Sequence, residues 1–324
     1  MNQNIRIQRS IAILAVIVFA IKITAWYLTR SVAVYTDALE SVVNVATGFL
    51  GLYSVWLSAR PRDQNHPYGH GKVEYLSAAI EGILIIIAGL VIIAETIKKF
   101  ITLQPLLELN WGILLVSSTA LINGGFGWYA KHYGQKNHSI AIESGGRHLL
   151  SDTYSTLGIL AGLVIIKITG IQLLDTLIAA VFALVIIYSG YTVLRKSLAG
   201  IMDEANMKLL KQLIAHINTE RQADWIDLHN LRTIQYGNIL HIDAHMTVPW
   251  YYNVLEAHET IGTLEHSIRK KFGNQIELFI HTDACTERSC RLCALDTCAV
   301  RQHPFGSTVE WTLENVLTNK QHKL

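Results

Sequence analysis

The first 200 residues alternate long apolar runs with short polar breaks. Six of these runs are long enough to cross a bilayer, because about 20 apolar residues cover the hydrocarbon core as a helix. The first run lacks a convincing small-residue cleavage site, so we predict a membrane span there rather than a cleaved signal peptide. The pattern predicts a six-helix membrane domain over 1–200, with spans near 11–29, 33–57, 76–99, 111–131, 145–167 and 173–193.

After residue 200 the pattern becomes that of a water-facing domain, with frequent charges and short apolar runs. Helical periodicity over 204–220 is followed by two segments of period two around a Gly237-Asn238 turn. A second helical pattern covers 254–272, and the string QIELFIHTD then indicates a strand. The order α-β-β-α-β predicts a small α+β domain over 201–284, with helices on one face of a sheet, followed by a cysteine-rich tail over 285–324.

Composition agrees with a membrane protein, since 51% of residues are hydrophobic and only 16% are charged, with a mean hydropathy of +0.30. The net charge of +2 indicates no particular partner, and nothing predicts nucleic-acid binding. Basic residues are unequally divided between the two sides of the six spans, which predicts that both termini are cytoplasmic. The cytoplasmic side carries Arg6, Arg9, Arg60, Arg62, Lys72, Lys131, Lys136, Arg195 and Lys196, and the other side carries Arg30, Lys98, Lys99 and Lys167.

Two pairs of polar side chains interrupt the predicted spans. Glu40 and Asn44 lie in the second span, and His148 and Asp152 lie in the fifth. Each pair is spaced i, i+4 and therefore shares one face of a helix. Polar and ionisable groups at membrane depth are costly unless they are paired, hydrated or bound to a metal, so these four are candidates for function.

The four side chains form a suitable set of ligands for a divalent metal ion. Glu40 and Asp152 offer anionic oxygens, Asn44 a neutral oxygen and His148 an imidazole nitrogen. Two negative charges neutralise one divalent cation, and protons can replace the metal when it leaves. The set therefore predicts exchange of metal for protons, although a structural role as interhelical hydrogen bonds is the alternative.

The break between the second and third spans contains a second group of ligand types. Asp63, His66 and His70 lie in the string RPRDQNHPYGHGKVE, where Pro67 and two glycines disfavour a helix. One carboxylate and two imidazoles suit an exposed metal ion. Incidental histidines in a hydrated loop are an equally good interpretation of the spacing.

All four cysteines of the chain fall in the tail, as Cys285, Cys290, Cys293 and Cys298. Clustered thiols in a reducing cytosol more often bind a soft metal than form disulfides. A structural zinc ion held by four thiolates fits this cluster, and the central C-x2-C of the run C-x4-C-x2-C-x4-C is typical of zinc ligands, but the overall spacing matches no zinc-ribbon pattern. An iron-sulfur cluster or reversible redox pairing stays open.

Four motifs together resemble the cation diffusion facilitator family of metal/proton antiporters. They are TDALESVVN in the second span, HPYGHGK with Glu74 after it, HLLSD in the fifth span and LHNLRT in the terminal domain. The resemblance covers nearly the whole chain. It implies a transport site at Glu40, Asn44, His148 and Asp152, and a loop metal site at Asp63, His66 and His70.

For the terminal domain, the resemblance implies a ferredoxin-like, metallochaperone-like fold that pairs in a homodimer and binds regulatory metal. It also implies that Lys72 and Asp203 form a charge pair that holds the membrane halves of the dimer together. The implied regulatory ligands are His229, His245, His258, His281 and Asp283.

These observations predict a proton-coupled exporter of divalent transition metal, embedded in the lipid of a bacterial inner membrane. Asn44 replaces the carboxylate that many family members have, so iron, manganese or cobalt are candidates beside zinc, the first choice. An enzyme is not predicted, because the string HETIG lacks the second histidine of the H-E-x-x-H motif. The remaining alternative is a transport-inactive membrane sensor that reads metal through the terminal Cys/His-rich domain.

Overall fold

A computed structural model describes residues 2–102, 105–136, 140–236, 239–273 and 275–323. The chain forms two compact units. The membrane unit comprises residues 1–56 and 74–198, and the C-terminal unit comprises residues 57–73 and 199–324. The loop that precedes the third long helix therefore groups with the C-terminal unit.

Six helices are long and apolar enough to cross a membrane, which confirms the six predicted spans. The observed helices are longer than the apolar runs by several residues, because polar residues at their ends continue the helical hydrogen bonding. Their bounds are α1 Asn2–Thr29, α2 Val32–Ser58, α3 Val73–Thr102, α4 Leu109–Lys136, α5 Ile140–Thr169 and α6 Leu173–Ile201.

Glycines allow two pairs of these helices to approach closely. A Cβ atom on Gly146 of α5 would lie 2.2 Å from the backbone nitrogen of Lys131 in α4. A Cβ atom on Gly82 of α3 would lie 2.9 Å from the carbonyl oxygen of Gly190 in α6. Helices in lipid associate through such close packing of small residues, so these glycines hold α4 against α5 and α3 against α6.

A buried carboxylate caps the start of α2. Asp175 of α6 accepts hydrogen bonds from the backbone N–H of Val32 at 2.8 Å and from the Ser31 hydroxyl. The Lys99 ammonium of α3 lies 3.0 Å from the same carboxylate. A negative charge at a helix N-terminus satisfies free N–H groups and the helix dipole, so Asp175 fixes the beginning of the helix that carries Glu40 and Asn44.

The C-terminal unit confirms the predicted α-β-β-α-β order. Strand β1 pairs antiparallel with β2, and β2 pairs parallel with β3. The predicted hairpin turn at 237–238 lies outside the described residues. The bounds are α7 Met207–Glu220, β1 Asp227–Tyr236, β2 Ile239–Val248, α8 Val254–Phe272 and β3 Ile276–Ala284, followed by a 3-10 helix Glu287–Arg291 and a short helix α9 Leu313–Val316.

The residues after β3 fold into the same core as the sheet. Trp311 and Val316 are buried among apolar residues of α7, α8 and the strands. The Asn218 side chain of α7 donates to the Trp311 carbonyl at 2.7 Å and accepts from the Trp311 N–H at 3.2 Å. The Arg221 guanidinium lies 3.8 Å above the indole ring. The tail is therefore an integral part of the C-terminal unit.

Candidate metal sites and family membership

Two of the predicted ligands, Asn44 of α2 and His148 of α5, lie near the Asp152 carboxylate of α5. The Asn44 amide nitrogen donates to Asp152 Oδ2 at 3.1 Å, and His148 Nε2 lies 3.9 Å from the same oxygen. Glu40 lies one helical turn before Asn44 and shares its face of α2. The Asp152 side chain is only 13% exposed whereas that of His148 is 56% exposed, so the carboxylate lies deep and the imidazole at the accessible edge.

The Asn44 amide is turned so that its nitrogen faces Asp152. A metal ion needs the amide oxygen instead, because an amide nitrogen has no lone pair to offer. Rotation of the amide group by half a turn would exchange the two atoms.

A buried ion pair lies one turn away from this site. Lys22 Nζ of α1 lies 2.7 Å from Asp37 Oδ1 of α2, and both side chains are at most 2% exposed. The Thr156 hydroxyl of α5 donates to the same oxygen at 3.0 Å. Lys22, Asp37 and Thr156 thus connect α1, α2 and α5. Asp37 precedes Glu40 by one turn, so this connection lies beside the predicted ligands. The sequence analysis did not predict this ion pair. The i, i+3 spacing of Asp37 and Glu40 in the second span was the available signal.

The loop residues Asp63, His66 and His70 come together, with one ligand atom from each within 4.8 Å of the others. His66 Nδ1 lies 2.9 Å from Asp63 Oδ1, and His70 Nε2 lies 3.4 Å from Asp63 Oδ2. Desolvation raises the pKa of Asp63, but hydrogen bonds from the His66 ring and backbone outweigh it and hold the pKa below its usual range. An anionic carboxylate beside two imidazoles can hold a divalent cation.

The same loop packs on the sheet of the C-terminal unit. The Tyr68 ring stacks on that of Tyr236 with a centroid distance of 5.5 Å. Arg62 forms an ion pair with Glu277. The Lys72 ammonium lies 4.8 Å from the centre of the Tyr236 ring and 2.9 Å from Asp203 Oδ2. Lys72 and Asp203 thus pair within one chain, and a role between two chains stays a prediction.

The strand register of the C-terminal unit places three of its histidines in one row. His229 of β1 is opposite His245 of β2, and His245 is opposite His281 of β3. Asp283 joins the row because residues two apart on a strand face the same side. Its Oδ2 lies 3.4 Å from His229 Nε2 and 3.2 Å from His245 Nδ1, and its Oδ1 lies 3.5 Å from His281 Nε2.

His258, the fifth residue predicted here, is exposed on α8 and is not part of the group that His229, His245 and Asp283 form.

Two further residues lie against this group and were not predicted. Asp227 Oδ2 lies 3.2 Å from His229 Nδ1. His322, from the end of the tail, contacts Asp227 through its ring and donates its backbone N–H at 3.1 Å. Asp227 precedes His229 by two residues on the same strand, which was a usable signal. Nothing in the sequence around His322 indicated its position.

The ionisation of this group favours metal binding. Burial lowers the pKa of His229 despite the opposing charges of Asp227 and Asp283, so its ring stays neutral with a free lone pair. Burial raises the pKa of Asp227, but the hydrogen bonds and charge of His322 outweigh this and keep the carboxylate anionic. Neutral imidazole and ionised carboxylate are the forms that bind metal.

The four tail cysteines carry free thiols and line one small cavity. Within the part of the chain that the structure describes, two groups of at least three ligands have all their ligand atoms within 4.8 Å. These are the loop group and the group of His229, His245 and Asp283. The thiols surround their cavity at wider spacing.

Both units of the chain match known protein families. Residues 9–202 match the family described as the cation efflux transmembrane domain, and residues 208–285 match the cation efflux protein cytoplasmic domain. An uncharacterized transporter of Synechocystis sp. is 30% identical over 82% of this chain and 87% of its own length. The cation-efflux pump FieF of Yersinia pestis is 28% identical over 84% of this chain and 90% of its own length.

The chain therefore belongs to the cation efflux family, also called cation diffusion facilitators. It is an integral membrane protein and a transporter of metal cations rather than an enzyme.

Proposed function

We propose that this protein exports divalent transition metal from the cytoplasm in exchange for protons, with zinc as the first candidate. The supporting observation is the convergence of Asn44 and His148 on Asp152, with Glu40 one turn away. Two carboxylates neutralise one divalent ion, so a loaded site carries no net charge into the low-dielectric interior. An empty site needs protons for the same reason.

The transport cycle follows from this charge balance. Glu40, Asn44, His148 and Asp152 bind the ion from the cytoplasmic side, and rearrangement of the helices exposes the site to the opposite side. Protonation of His148 and one carboxylate there weakens binding and releases the metal. We place both termini in the cytoplasm and the protein in a bacterial inner membrane, because basic residues are enriched on the side of the termini.

The C-terminal unit supplies regulation in this proposal. Two copies pair through this unit, in line with the cytoplasmic-domain family that residues 208–285 match. Metal bound by His229, His245, His281 and Asp283 strengthens the pairing when cytoplasmic metal is high. The loop group of Asp63, His66 and His70 binds metal on the same side of the membrane.

Metal uptake into inverted vesicles with an acidic interior tests the transport site. The purified protein should accumulate zinc and dissipate the pH gradient, and Asp152→Asn should reduce both at least tenfold, because the shared ligand loses its charge. Ser155→Ala is the matched control, since Ser155 is half-buried on the same helix and its hydroxyl donates to the Ser151 carbonyl of the preceding turn. Undiminished uptake by Asp152→Asn would contradict the site assignment.

The same vesicles identify the metal and separate transport from sensing. Parallel assays with zinc, iron, manganese and cobalt rank the substrates. A sensor without transport activity would accumulate none of them in vesicles that contain this protein alone.

A further inference from the structure

The segment that carries the four cysteines is a small lobe with little apolar core. Its buried residues are Ile226, Leu292 and Cys293, with a few half-buried neighbours such as Val309. Between β3 and residue 301 the only described helix is the five-residue 3-10 turn. Lobes of this size are usually held by a disulfide or a metal ion, because apolar burial alone is insufficient. The cysteines form no disulfide here.

The four cysteines line a common cavity of about 10 Å³, a volume that suits one particle of about the size of a water molecule. Cys285 enters from the end of β3, Cys290 and Cys293 from the 3-10 helix and the residues after it, and Cys298 from the next turn. Four cysteines separated along the chain by up to 13 positions thus line one cavity. A cavity of this volume suits a single ion rather than a cluster of several iron and sulfide atoms.

Polar groups around the cavity hold the cysteine loop in this shape. The Arg301 guanidinium donates to the carbonyl oxygens of Cys290, Cys293 and Leu295 at 2.9, 3.0 and 2.8 Å. The Trp250 N–H donates to Cys285 Sγ at 3.3 Å. Hydrogen-bond partners of this kind orient the ligands of metal sites.

We propose that Cys285, Cys290, Cys293 and Cys298 together bind one structural metal ion of the zinc class, distinct from the transported ion. Zinc takes four thiolates tetrahedrally at about 2.3 Å, and closed four-sulfur sites are structural. The sulfurs draw inward around the ion by side-chain rotation, and the thiol protons are released to solvent. The site lies at and beyond residue 285, where the match to the cytoplasmic-domain family ends.

The proposed ion lies where it would hold the start of the tail in place. The Cys285 N–H bonds the Val248 carbonyl at 2.9 Å, and the Gly306 N–H bonds the Arg291 carbonyl at 2.9 Å. The chain then continues to the buried Trp311 and to His322 beside Asp227. An ion that closes the cysteine lobe therefore fixes the start of the tail whose end contacts the histidine row.

Cobalt substitution of the full-length protein in detergent tests the site. Cobalt held by four thiolates shows sulfur-to-metal charge-transfer bands and strong visible bands that oxygen and nitrogen ligands do not produce. We expect these bands at one cobalt per chain, and loss of more than half their intensity in both Cys290→Ser and Cys298→Ser. His245→Ala should keep the bands in full, because it alters the histidine row alone.

The wild-type protein also provides a readout that does not depend on a folded variant. As purified, it should contain zinc but no acid-labile sulfide, and a thiol reagent should react with four cysteines only after a chelator is added. Iron with sulfide, thiols that are oxidised without metal, or cobalt without the charge-transfer bands would each overturn the proposal. The transport ligands contain no sulfur, so these signals are independent of whether the transport proposal holds.

Discussion

Individual charged residues inside the membrane unit have two different environments. Asp152 lies near Asn44 and His148 and is 13% exposed, and in the proposed cycle it binds metal and protons in turn. Asp37 is fully enclosed and already has Lys22 as its cation. Asp152 belongs to the predicted transport site, and Asp37 lies one helical turn before Glu40. The two aspartates differ because Asp37 is paired with Lys22 inside the protein, whereas Asp152 in the proposed cycle binds metal or protons in turn.

Asp37→Asn should destabilise the membrane unit strongly. The substitution leaves the Lys22 ammonium buried without a counter-charge, which costs about 3–5 kcal/mol. Thermal unfolding of the purified protein in detergent measures the effect. Glu95→Gln serves as control, since Glu95 pairs with Lys98 at 3.5 Å on an exposed surface and its loss costs less than about 1 kcal/mol. Equal melting of the two variants would show that the buried pair is not a structural link.

At the scale of helices and strands, helix packing and strand pairing determine where the predicted metal ligands lie. Gly146 precedes His148 by two residues and lets α5 approach α4. In the sheet, the register that aligns His229, His245 and His281 brings Asp283 within reach of all three rings. Helix packing in one site and strand register in the other therefore determine which side chains come close together.

Gly146→Ala should disturb the helix pair that carries His148. A Cβ atom 2.2 Å from the Lys131 backbone nitrogen forces the helices apart, and overpacking of this kind costs about 1–3 kcal/mol. We expect a lower melting temperature and reduced metal uptake. Gly125→Ala is the control on α4, because nothing lies within 4 Å of its added methyl group. Similar melting of both variants would contradict the close contact.

Trp311→Ala tests whether the tail belongs to the core of the C-terminal unit. The indole is 1% exposed, and truncation of a buried tryptophan costs about 3–5 kcal/mol. Unfolding of the full chain, followed by protease sensitivity of residues 285–323, should show the loss. Phe305→Ala, at a 47% exposed position of the same tail, should have little effect. A tail that stays protected in Trp311→Ala would exclude this packing.

At the scale of the whole molecule, the loop between α2 and α3 is the connection that matters most. It belongs to the C-terminal unit although its two ends continue into membrane helices. Its metal ligands lie within a few residues of Tyr68, which stacks on the sheet. The loop and the sheet are consequently linked through a short, direct contact, beside the residues for which we propose metal binding.

Tyr68→Ala should release this loop. Loss of an aromatic pair costs about 0.5–1.5 kcal/mol, which corresponds to a roughly two- to tenfold rise in amide exchange over residues 60–72. Hydrogen exchange with mass spectrometry gives the measurement, and Tyr68→Phe, which keeps the ring, should leave the rate unchanged. If exchange does not rise in the alanine variant, Arg62 and Lys72 alone hold the loop.

The sequence alone was sufficient for features that depend on neighbours along the chain. Hydropathy located the six spans, because each must cover the same bilayer thickness. Helical and strand periods located α7, β1, β2, α8 and β3, and i, i+4 spacing put Glu40 beside Asn44 and His148 beside Asp152. Eight residues of loop sequence contained Asp63, His66 and His70, which the folded loop brings together.

Only the tertiary structure decided contacts between residues distant along the chain. Lys22 meets Asp37 from 15 residues away, Thr156 meets Asp37 from 119, and His322 meets Asp227 from 95. These distances depend on how whole helices and strands pack together, and the periodicity of residues along the chain carries no information about that packing. The sequence likewise shows that the four cysteines are clustered along the chain. Only the fold shows that they line one cavity together with Arg301.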